Sequence, residues 1–277
     1  MAAAGSRTIT LSGNVTVQRA NTTIDCGGRV TFTGSSRRFA IGATDNVILR
    51  GCRFRNMYKV EIDGAAGSRK LASRVVVANN TIGPGMTDGA LDMWAAVSDV
   101  TIIGNLFYSS GRGGTFTHYP APFQTRQRIS VLRNAFAKNP ERNPQLRADI
   151  RDLDFRNNVV YGWSTGGFGY GTRIRAESGE PPVNGNFVNN VYASSGQKCN
   201  ALILLQAGGS IGRLYFSGNL LPSGCSAPSS TGSQLAPPGT TTLTAAQTPG
   251  TVLVEVGAPS RTSAEQTLIN EVRAAFP

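Results

Sequence analysis

The sequence is short of charged residues, of histidine and of long apolar segments. Aspartate, glutamate, lysine and arginine make up 16% of its 277 residues, and there is one histidine. No apolar stretch is long enough to span a bilayer, so we expect neither a membrane-spanning helix nor a membrane partner. Since no Lys/Arg-rich run, helix-turn-helix or zinc-finger pattern occurs, nucleic acid is not the expected partner either.

What the sequence does contain indicates β structure and an anionic partner. Glycine is abundant, at 33 residues, and the hydrophobic fraction of 40% is spread over short runs rich in Val and Ile. Such a composition is typical of β architecture. The 27 Lys and Arg residues outnumber the 16 Asp and Glu residues, for a formal net charge of +11. This excess raises the local concentration of anionic partners, among which anionic lipid and acidic polysaccharide remain possible and nucleic acid is the weaker candidate.

A short pattern recurs along the chain: alternating apolar residues, then Asn, then an apolar or aromatic residue. Strand-length runs at an irregular period predict a β-solenoid whose extra residues form loops on one face. Propellers and leucine-rich repeats fit this period poorly. The recurring residues are Asn80, Asn105, Asn134, Asn158, Asn190 and Asn219, separated by 25, 29, 24, 32 and 29 positions, with Cys52 in the same place of an earlier copy.

The repeat also sets the expected domain organisation. We expect a single domain over 1–277, with coils over about 7–221 and a C-terminal loop segment and helix over 222–277. Asn side chains on successive coils can form a hydrogen-bonded ladder along the axis. The alternative is that these Asn residues lie in unrelated turns, but the residues that flank them repeat as well.

The four cysteines follow the spacing of the coils. Cys26 and Cys52 are 26 residues apart, and so are Cys199 and Cys225. One coil advances by about 4.8 Å, and disulfide Cα–Cα distances are about 4.4–6.8 Å. We therefore predict the bonds Cys26–Cys52 and Cys199–Cys225, which imply an oxidising compartment. The alternative is four buried free thiols. The start of the sequence, 1–6, has no signal region, as expected after removal of a signal peptide.

The C-terminal part of the sequence departs from the repeat. Residues from about 222 to 249 are rich in Ser, Thr, Pro and Gly, which predicts a long surface segment. The run 251–256, Thr-Val-Leu-Val-Glu-Val, predicts a short strand. The segment 263–266, Ser-Ala-Glu-Gln, resembles a capping box that opens a helix, which we expect to pack on the side or end of the solenoid. The apolar face of this helix consists of Leu268, Ile269, Val272 and Phe276.

Four acidic residues are candidates for a metal site. Residues two apart in a strand share a face, so Glu61 and Asp63 are predicted to point together. Asp88 and Asp92 follow about one coil later, where the two pairs can meet. Crowded carboxylates repel each other unless a cation lies between them, and hard oxygen ligands of this kind suit Ca²⁺. Taken alone, an Asp-x-x-x-Asp segment more often contains turn-stabilising aspartates.

Three arginines are candidates for binding a carboxylate. Arg142 and Arg147 belong to the segment Arg-Asn-Pro-Gln-Leu-Arg, and Arg112 precedes them by about one coil. On one flank of a solenoid these guanidinium groups would pair with substrate carboxylates, often through two parallel hydrogen bonds. Taken alone, such arginines are more often solvated surface charges.

The stretch 88–163 resembles the pectate lyases of polysaccharide lyase family 1. The Arg-x-Pro-x-x-Arg motif of that family is matched by Arg142, Pro144 and Arg147, and its acidic-x-x-x-Asp pair by Asp88 and Asp92. There are departures: residues 76–79 read Val-Val-Ala-Asn where the family usually has Trp-Ile-Asp-His, and no N-terminal capping helix is visible. Further matches are the Ser-Asp-Val-Thr-Ile strand at 98–102, Arg112 where the family often has Lys, the Asn-Asn-Val-Val-Tyr strand at 157–161, Arg175, the acidic pair Glu61 and Asp63, and the helix over 264–273.

The resemblance implies an all-β fold, a single-stranded right-handed parallel β-helix of the pectin lyase-like type. It implies a secreted, monomeric pectate lyase that cleaves de-esterified α-1,4-polygalacturonate by calcium-assisted β-elimination. Arg142 would be the base that removes the C5 proton, and since a free guanidinium has a pKa of about 12.5 or higher, we expect an alkaline optimum. The implied calcium ligands are Asp63, Asp88, Asp92 and Glu61, and the implied substrate-binding residues are Arg112, Arg147 and Arg175.

Other functions are compatible with a solenoid of this type. A polygalacturonase hydrolyses its substrate with Asp acids and bases and needs no calcium. A pectin lyase acts on methyl-esterified polymer, and Asp88 and Asp92 favour pectate over it. A non-catalytic polysaccharide-binding solenoid is disfavoured by the pairing of the arginine motif with the two aspartates. His118 is a weaker candidate for the base, because its Thr-His-Tyr-Pro setting is typical of a loop.

Overall fold

The computed structural model describes residues 5–64, 70–94, 96–117, 128–147, 149–164, 169–194, 199–236, 239 and 241–276. Short strands dominate the described part of the chain until about residue 217, and two helices follow. The strands are β1 (Arg7–Thr10), β2 (Val15–Val17), β3 (Thr22–Asp25), β4 (Val30–Ile41), β5 (Asp45–Arg50), β6 (Arg53–Ile62), β7 (Ala72–Ala78), β8 (Thr81–Ile82), β9 (Leu91–Met93), β10 (Val97–Ile103), β11 (Leu106–Tyr108), β12 (Thr115–Phe116), β13 (Arg128–Leu132), β14 (Ala135–Ala137), β15 (Gln145–Arg147), β16 (Asp152–Arg156), β17 (Val159–Tyr161), β18 (Thr172–Glu177), β19 (Gly185–Val188), β20 (Val191–Ala193), β21 (Leu202–Ala207) and β22 (Leu214–Ser217), and the helices are α1 (Thr248–Glu255) and α2 (Ser263–Ala274).

Each coil of the chain contributes strands to two parallel sheets. One sheet runs in the order β22-β19-β16-β13-β10-β7-β5-β3, so every neighbour comes from the adjacent coil. The other sheet has two rows of short strands, for example β11 and β12 of one coil, which are joined because the long strand β6 pairs with both β8 and β9. The result is a parallel β-solenoid of about six turns, which confirms the predicted fold class.

The alternating pattern of the strands fills the interior of the solenoid. In β10, Val100 and Ile102 are buried while Thr101 is partly exposed, as expected for side chains that alternate between the two faces of a strand. Identical positions on neighbouring coils then stack, and the rings of Phe107 and Phe136 lie 4.7 Å apart. Each fully buried apolar side chain contributes about 1.5–3 kcal/mol, so the stability of the solenoid grows with each added coil.

The asparagine ladder predicted from the repeat is confirmed. The side-chain oxygen of Asn134 accepts hydrogen bonds from the backbone N–H and the side-chain amide of Asn105, at 2.9 and 3.0 Å. Asn105 accepts in the same way from Asn80, and Asn80 accepts from the backbone N–H of Cys52. The ladder continues through Asn158, Asn190 and Asn219. The asparagine side chains thus provide hydrogen-bond partners for the backbone N–H groups at the bend between the two sheets.

Both predicted disulfide bonds are confirmed. The Cα atoms of Cys26 and Cys52 are 4.9 Å apart, and those of Cys199 and Cys225 are 5.0 Å apart. These distances are close to the advance of one coil, which is why cysteines one coil apart can bond. The first bond joins coils near the N-terminal end of the solenoid, and the second joins coils near its other end.

The C-terminal segment corrects two details of the sequence analysis. The run 251–256, predicted as a strand, lies mostly in α1, where Pro249 stands in the first turn and Val252 and Leu253 are buried. A strand needs a free sheet edge to pair with, and this segment instead packs on the side of the solenoid, against Leu106 and Val159. An apolar stripe on a helix buries that surface without leaving unpaired backbone groups.

The capping box of α2 begins one residue earlier than predicted. Thr262, and not Ser263, caps the helix: its side chain accepts from the backbone N–H of Glu265, whose carboxylate accepts from the N–H of Thr262 at 2.8 Å. Glu265 also forms a buried ion pair with Arg53 of β6, with an N–O distance of 2.9 Å. This pair helps to anchor α2 to the side of the solenoid. The predicted apolar face is confirmed, with Leu268, Ile269 and Val272 buried and Phe276 partly buried.

No helix among the described residues is long and apolar enough to cross a membrane.

Candidate active site

Three consecutive turns of the solenoid carry three of the predicted site residues, Asp88, Arg112 and Arg142. They connect β8 to β9, β11 to β12 and β14 to β15. Backbone hydrogen bonds stack them: the N–H of Ala90 donates to the carbonyl of Arg112 at 2.9 Å, and the N–H of Gly113 donates to the carbonyl of Glu141 at 3.0 Å. Side chains that are one coil apart in the sequence are therefore neighbours in space.

Glycine allows the close stacking of the middle turn. The segment 111–114 reads Gly-Arg-Gly-Gly. A Cβ atom at Gly113 would clash with the carbonyl oxygen of Arg142, and one at Gly114 would clash with the carbonyl oxygen of Leu91. The local sequence thus brings the backbone of the Arg112 turn against both of its neighbours.

A row of polar residues crosses the sheet beside these turns. Strand register aligns Glu61 of β6 with Asp92 of β9, and Gln145 of β15 with Thr115 of β12 on one side and Arg173 of β18 on the other. The N–H of Thr115 donates to Asp92 at 2.8 Å, which joins the two parts of the row. Since neighbouring strands lie about 4.8 Å apart, an acidic end and a basic end face the same surface within a few coils.

The acidic end contains a lysine that the sequence analysis missed. The Nζ atom of Lys59 lies 2.9 Å from a carboxylate oxygen of Glu61 and 3.6 Å from one of Asp92. Its side chain is only 5% exposed, and Nζ lies 4.7 Å from the ring centre of Trp94. Burial opposes the charge, but the hydrogen bond to Glu61 and the nearby carboxylates outweigh it and raise the pKa of Lys59. The available signal was the two-residue spacing from Glu61, which places both on one face.

The two predicted acidic pairs meet only in part. Asp88 and Asp92 line one cavity of about 210 Å³, and Glu61 is the strand neighbour of Asp92. Burial raises the pKa of Asp92, with a further contribution from Asp88, although the Thr115 N–H and Lys59 act against it. Asp63 follows the end of β6 and is not part of that cavity lining, and burial together with Glu61 raises its pKa.

The donor set does not fit the expected calcium ion. Ca²⁺ takes about 6–8 oxygen ligands at about 2.3–2.6 Å. Here Lys59 lies between Glu61 and Asp92, and Arg112 Nη1 binds Asp88 at 2.7 Å. Within the described ranges, no group of three or more His, Cys, Asp or Glu side chains is arranged to hold a metal ion. Three of the four carboxylates that were expected to bind calcium, Glu61, Asp88 and Asp92, are thus already paired with side-chain cations.

Arg142, the predicted base, lies in the same cavity as the two aspartates. Its Nη1 donates to the hydroxyl of Thr115 at 3.0 Å, and its Nε lies 3.6 Å from a carboxylate oxygen of Glu141. That Nε is buried and makes no hydrogen bond within the described part of the chain. The side chain is 26% exposed, so the guanidinium is held in place on one side and open to the cavity on the other.

Arg112 is placed between carboxylates of both neighbouring turns. It binds Asp88 at 2.7 Å through Nη1 and Glu141 at 3.0 Å through Nε. Burial acts to lower the pKa of Arg112 and is the largest single contribution. The hydrogen bonds to Glu141 and Asp88, together with the charges of these carboxylates, outweigh it, so the pKa is raised. Arg112 therefore lies at the predicted place, 40% exposed and facing both the acidic end and Arg142.

Arg147 and Arg175 are engaged elsewhere. Arg147 donates through Nε to both carboxylate oxygens of Glu180, at 3.0 and 2.9 Å, and also pairs with Glu177. Arg175, its neighbour in register, pairs with Glu177 as well. The two arginines and two glutamates form a separate cluster, so the substrate-binding roles predicted for Arg147 and Arg175 stay predictions.

Arg173 is a site residue that the sequence analysis passed over. It belongs to the same Thr-Arg-Ile-Arg segment as Arg175, but it is the one aligned with Gln145 in the polar row. Its Nε donates to Gln145 at 3.0 Å, and its guanidinium carbon lies 4.0 Å from the ring centre of Tyr170. Burial lowers the pKa of Arg173, and the charges of Arg175 and Arg142 lower it further. The sequence shows two outward-facing arginines, but only the register shows which one reaches the row.

The alternative base, His118, lies outside the described residues.

The fold is similar to that of known pectate lyases. No family model and no curated protein matches the chain. Among solved structures, a pectate lyase bound to a hexasaccharide matches with a TM-score of 0.61 and 17% identity, over 86% of this chain and 69% of that chain. The pectate lyase Bsp165PelA from Bacillus sp. N165, in complex with trigalacturonate, matches with a TM-score of 0.59 and 17% identity, over 91% of this chain and 85% of that chain. Pectate lyase C from Erwinia chrysanthemi, at pH 9.5 with 30 mM Ca²⁺, matches with a TM-score of 0.54 and 14% identity, over 95% of this chain and 78% of that chain.

Proposed function

We propose that this chain is a polysaccharide lyase that cleaves de-esterified α-1,4-polygalacturonate by β-elimination, with Arg142 as the base. The observation that carries the proposal is the meeting of Arg142 with Asp88, Asp92 and Arg112 around one cavity, although 54 positions separate the first of these residues from the last. The fold shared with pectate lyases supports the same reaction class.

An anionic polymer suits the surface around this cavity. The cavity shares Arg112 with a second one of about 310 Å³, which is lined by residues of the turns before β9, β12, β15 and β18. The open surface therefore extends along the stack of turns, as a long ligand requires. Arg112, Arg142 and Arg173 lie on successive coils beside it. Together with the formal charge of +11, these guanidinium groups favour the repeated carboxylates of a polyuronate.

The reaction needs a base beside the C5 hydrogen and positive charge beside the neighbouring carboxylate. A neutral Arg142 side chain would accept the C5 proton, the electrons of that bond would form the C4–C5 double bond, and the C4–O bond would break. The departing oxygen would take its proton from water. Arg112 and Arg173 would hold the carboxylate and stabilise the negative charge that develops next to C5. Since a free guanidinium loses its proton only at high pH, activity is expected to rise with pH.

The calcium requirement expected from the resemblance is not part of this proposal. Three of its expected ligands, Glu61, Asp88 and Asp92, are paired with Lys59 or Arg112, so no step of the reaction is assigned to the ion. The chain's own cations supply the positive charge that the reaction needs.

We also propose that the protein is secreted and acts as a monomer. The two disulfide bonds support an oxidising compartment. Size-exclusion chromatography with light scattering would test the monomer: a mass near 29.2 kDa is expected, and a mass near twice that value would contradict it.

The proposal is tested by incubating the full chain with polygalacturonate at alkaline pH and following the ultraviolet absorbance of the unsaturated product. Wild-type protein is expected to produce it, and Arg142→Ala is not. Arg128→Ala is the matched control, since it removes an exposed arginine on the opposite sheet. New reducing ends without unsaturation would indicate a polygalacturonase, activity on methyl-esterified polymer alone a pectin lyase, and binding without cleavage a non-catalytic solenoid. Each of these outcomes would overturn the proposal.

A further inference from the structure

The acidic end of the polar row contains its own cation. Lys59 extends from β6 along the same face as Glu61, and its ammonium group contacts Glu61 and approaches Asp92 on the neighbouring strand. The rings of Tyr58 and Trp94 lie 5.4 and 4.7 Å from Nζ and shield it from solvent. Aromatic faces attract an ammonium group, so the rings and the carboxylates stabilise the same position.

The charges of this cluster are nearly balanced without a metal. Four cations face five carboxylates, so the formal sum is 4 − 5 = −1, and a bound Ca²⁺ would change it to +1. The carboxylates are Glu61, Asp63, Asp88, Asp92 and Glu141, and the cations are Lys59, which binds Glu61 and approaches Asp92, Arg38, which binds Glu61, Arg112, which binds Asp88 and Glu141, and Arg142, which approaches Glu141.

Lys59 is linked to the proposed base through a short chain of contacts. It approaches Asp92, and Asp92 accepts a hydrogen bond from the backbone N–H of Thr115 at 2.8 Å. The hydroxyl of Thr115 accepts from Arg142 at 3.0 Å. These contacts connect Lys59 to Arg142 through Asp92 and Thr115.

We infer that the ammonium group of Lys59 is the resident cation of this site, in the place where calcium was expected, and that the chain cleaves its substrate without a divalent ion. The part of this inference that concerns cleavage rests on the proposed function; the part that concerns metal binding does not. Lys59 is a positioning residue, since it is nearly buried and acts through Glu61 and Asp92. Removing it leaves Asp92 and one carboxylate oxygen of Glu61 without their ammonium partner, and oxygen atoms of this kind are the ligands that Ca²⁺ prefers.

The first arm of the test measures calcium binding directly, by isothermal titration calorimetry and by the melting temperature with calcium or with EDTA. Wild-type protein is expected to melt at the same temperature in both. Lys59→Ala, which opens space for an ion, is expected to bind calcium and to melt about 2–4 °C higher with calcium than with EDTA. Lys59→Met, which keeps the volume of the side chain, is the second variant in case the first does not fold.

The matched control is Lys138→Ala. It removes an exposed lysine whose Nζ binds Glu271 of α2 at 2.7 Å, so the net charge changes equally without removing a partner of Glu61 or Asp92. This control is expected to show no calcium effect. Calcium binding by wild-type protein that Asp92→Asn abolishes would overturn the inference, and so would folded Lys59 variants that gain no calcium binding.

The second arm measures activity on polygalacturonate in EDTA. Wild-type activity is expected to be unchanged by EDTA, whereas Lys59→Ala is expected to lose activity in EDTA and to regain part of it when calcium is added. Wild-type activity that EDTA abolishes and calcium restores would overturn the inference while leaving the lyase assignment intact. If no variant cleaves the polymer, the proposed function fails and the first arm still decides the metal question.

Discussion

Two stacks of turns run along this solenoid, and they satisfy their polar groups in different ways. At the bend between the two sheets, one asparagine per coil bonds to the asparagines above and below it, and five of the six, Asn80 to Asn190, are fully buried. In the turns before β9, β12 and β15, the residues differ from coil to coil and are joined by charged pairs such as Asp88–Arg112. Identical asparagines repeat the same hydrogen bond on every coil, whereas turns that carry different residues can place acidic and basic side chains around one cavity.

The comparison explains why one stack is structural and the other is a candidate for chemistry. The asparagine stack has no ionisable side chain, so its contribution to stability is independent of pH. The turns of the charged stack are longer than the bends of the asparagine stack, they contain glycines such as Gly113 that allow close approach, and they face a cavity. The two stacks lie on the same coils, so a variant in one can be tested against a variant in the other.

The largest effect is expected in the charged stack. Arg142→Ala should lower the rate of cleavage by about 10²–10⁴-fold, since it removes the proposed base, while the melting temperature changes little. Initial rates of product formation and a thermal melt measure the two quantities. Arg142→Lys tests whether charge alone suffices: because an ammonium group lacks the fork of a guanidinium, it should stay well below wild type. A rate near wild type in either variant would mean that Arg142 does not act as the base.

A variant in the asparagine stack is expected to lower the stability of the fold and to leave the rate of cleavage nearly unchanged. Asn134→Ala removes an acceptor used twice by Asn105 and leaves the carbonyls of Ile102 and Leu132 without their side-chain donor. The free energy of unfolding should fall by about 2–4 kcal/mol, with little change in the rate per folded molecule. Denaturant unfolding measures it.

The control for this prediction is the exposed end of the same ladder. Asn219 is only partly buried, so Asn219→Ala should lower the free energy of unfolding by about 1 kcal/mol. Equal losses for Asn134→Ala and Asn219→Ala would show that burial does not determine the strength of the ladder.

The smallest effect is expected from a charge in the site itself. Burial raises the pKa of Asp92, so its ionised form opposes folding at neutral pH. Asp92→Asn keeps an oxygen that can accept from Thr115 and should be slightly more stable than wild type at neutral pH. A raised pKa means that this difference is present above the folded pKa and disappears as the pH falls through it and then below the unfolded value of 3.8. Denaturant unfolding at several pH values checks the sign, and a variant less stable at neutral pH would contradict it.

Most of the fold could be predicted because its signals are local and repeated. The spacing of the asparagines and cysteines depends only on the length of a coil, so the ladder and both disulfides follow from it. The run 251–256 was predicted wrongly as a strand, because the pattern of Val residues does not reveal whether a sheet edge is free to pair with them. Its helix depends on a surface built by residues more than 90 positions earlier, such as Leu106 and Val159.

The candidate site was predictable only in part, because some of its members and most of their pairings depend on the fold. Asp88, Asp92, Arg112 and Arg142 meet as expected, since stacked turns bring them together. Lys59 was missed because its importance depends on the carboxylates that surround it after folding. Arg175 was chosen before Arg173 for the same reason, because only the strand register distinguishes two outward-facing arginines.

The central claim is that the charged stack of turns performs an elimination. Mass spectrometry of the oligosaccharides released from polygalacturonate tests it most directly, because elimination and hydrolysis leave products that differ by one water molecule at the new non-reducing end. The account predicts dehydrated ends for wild-type protein and none for Arg142→Ala. Hydrated ends, or dehydrated ends formed equally by both proteins, would contradict it.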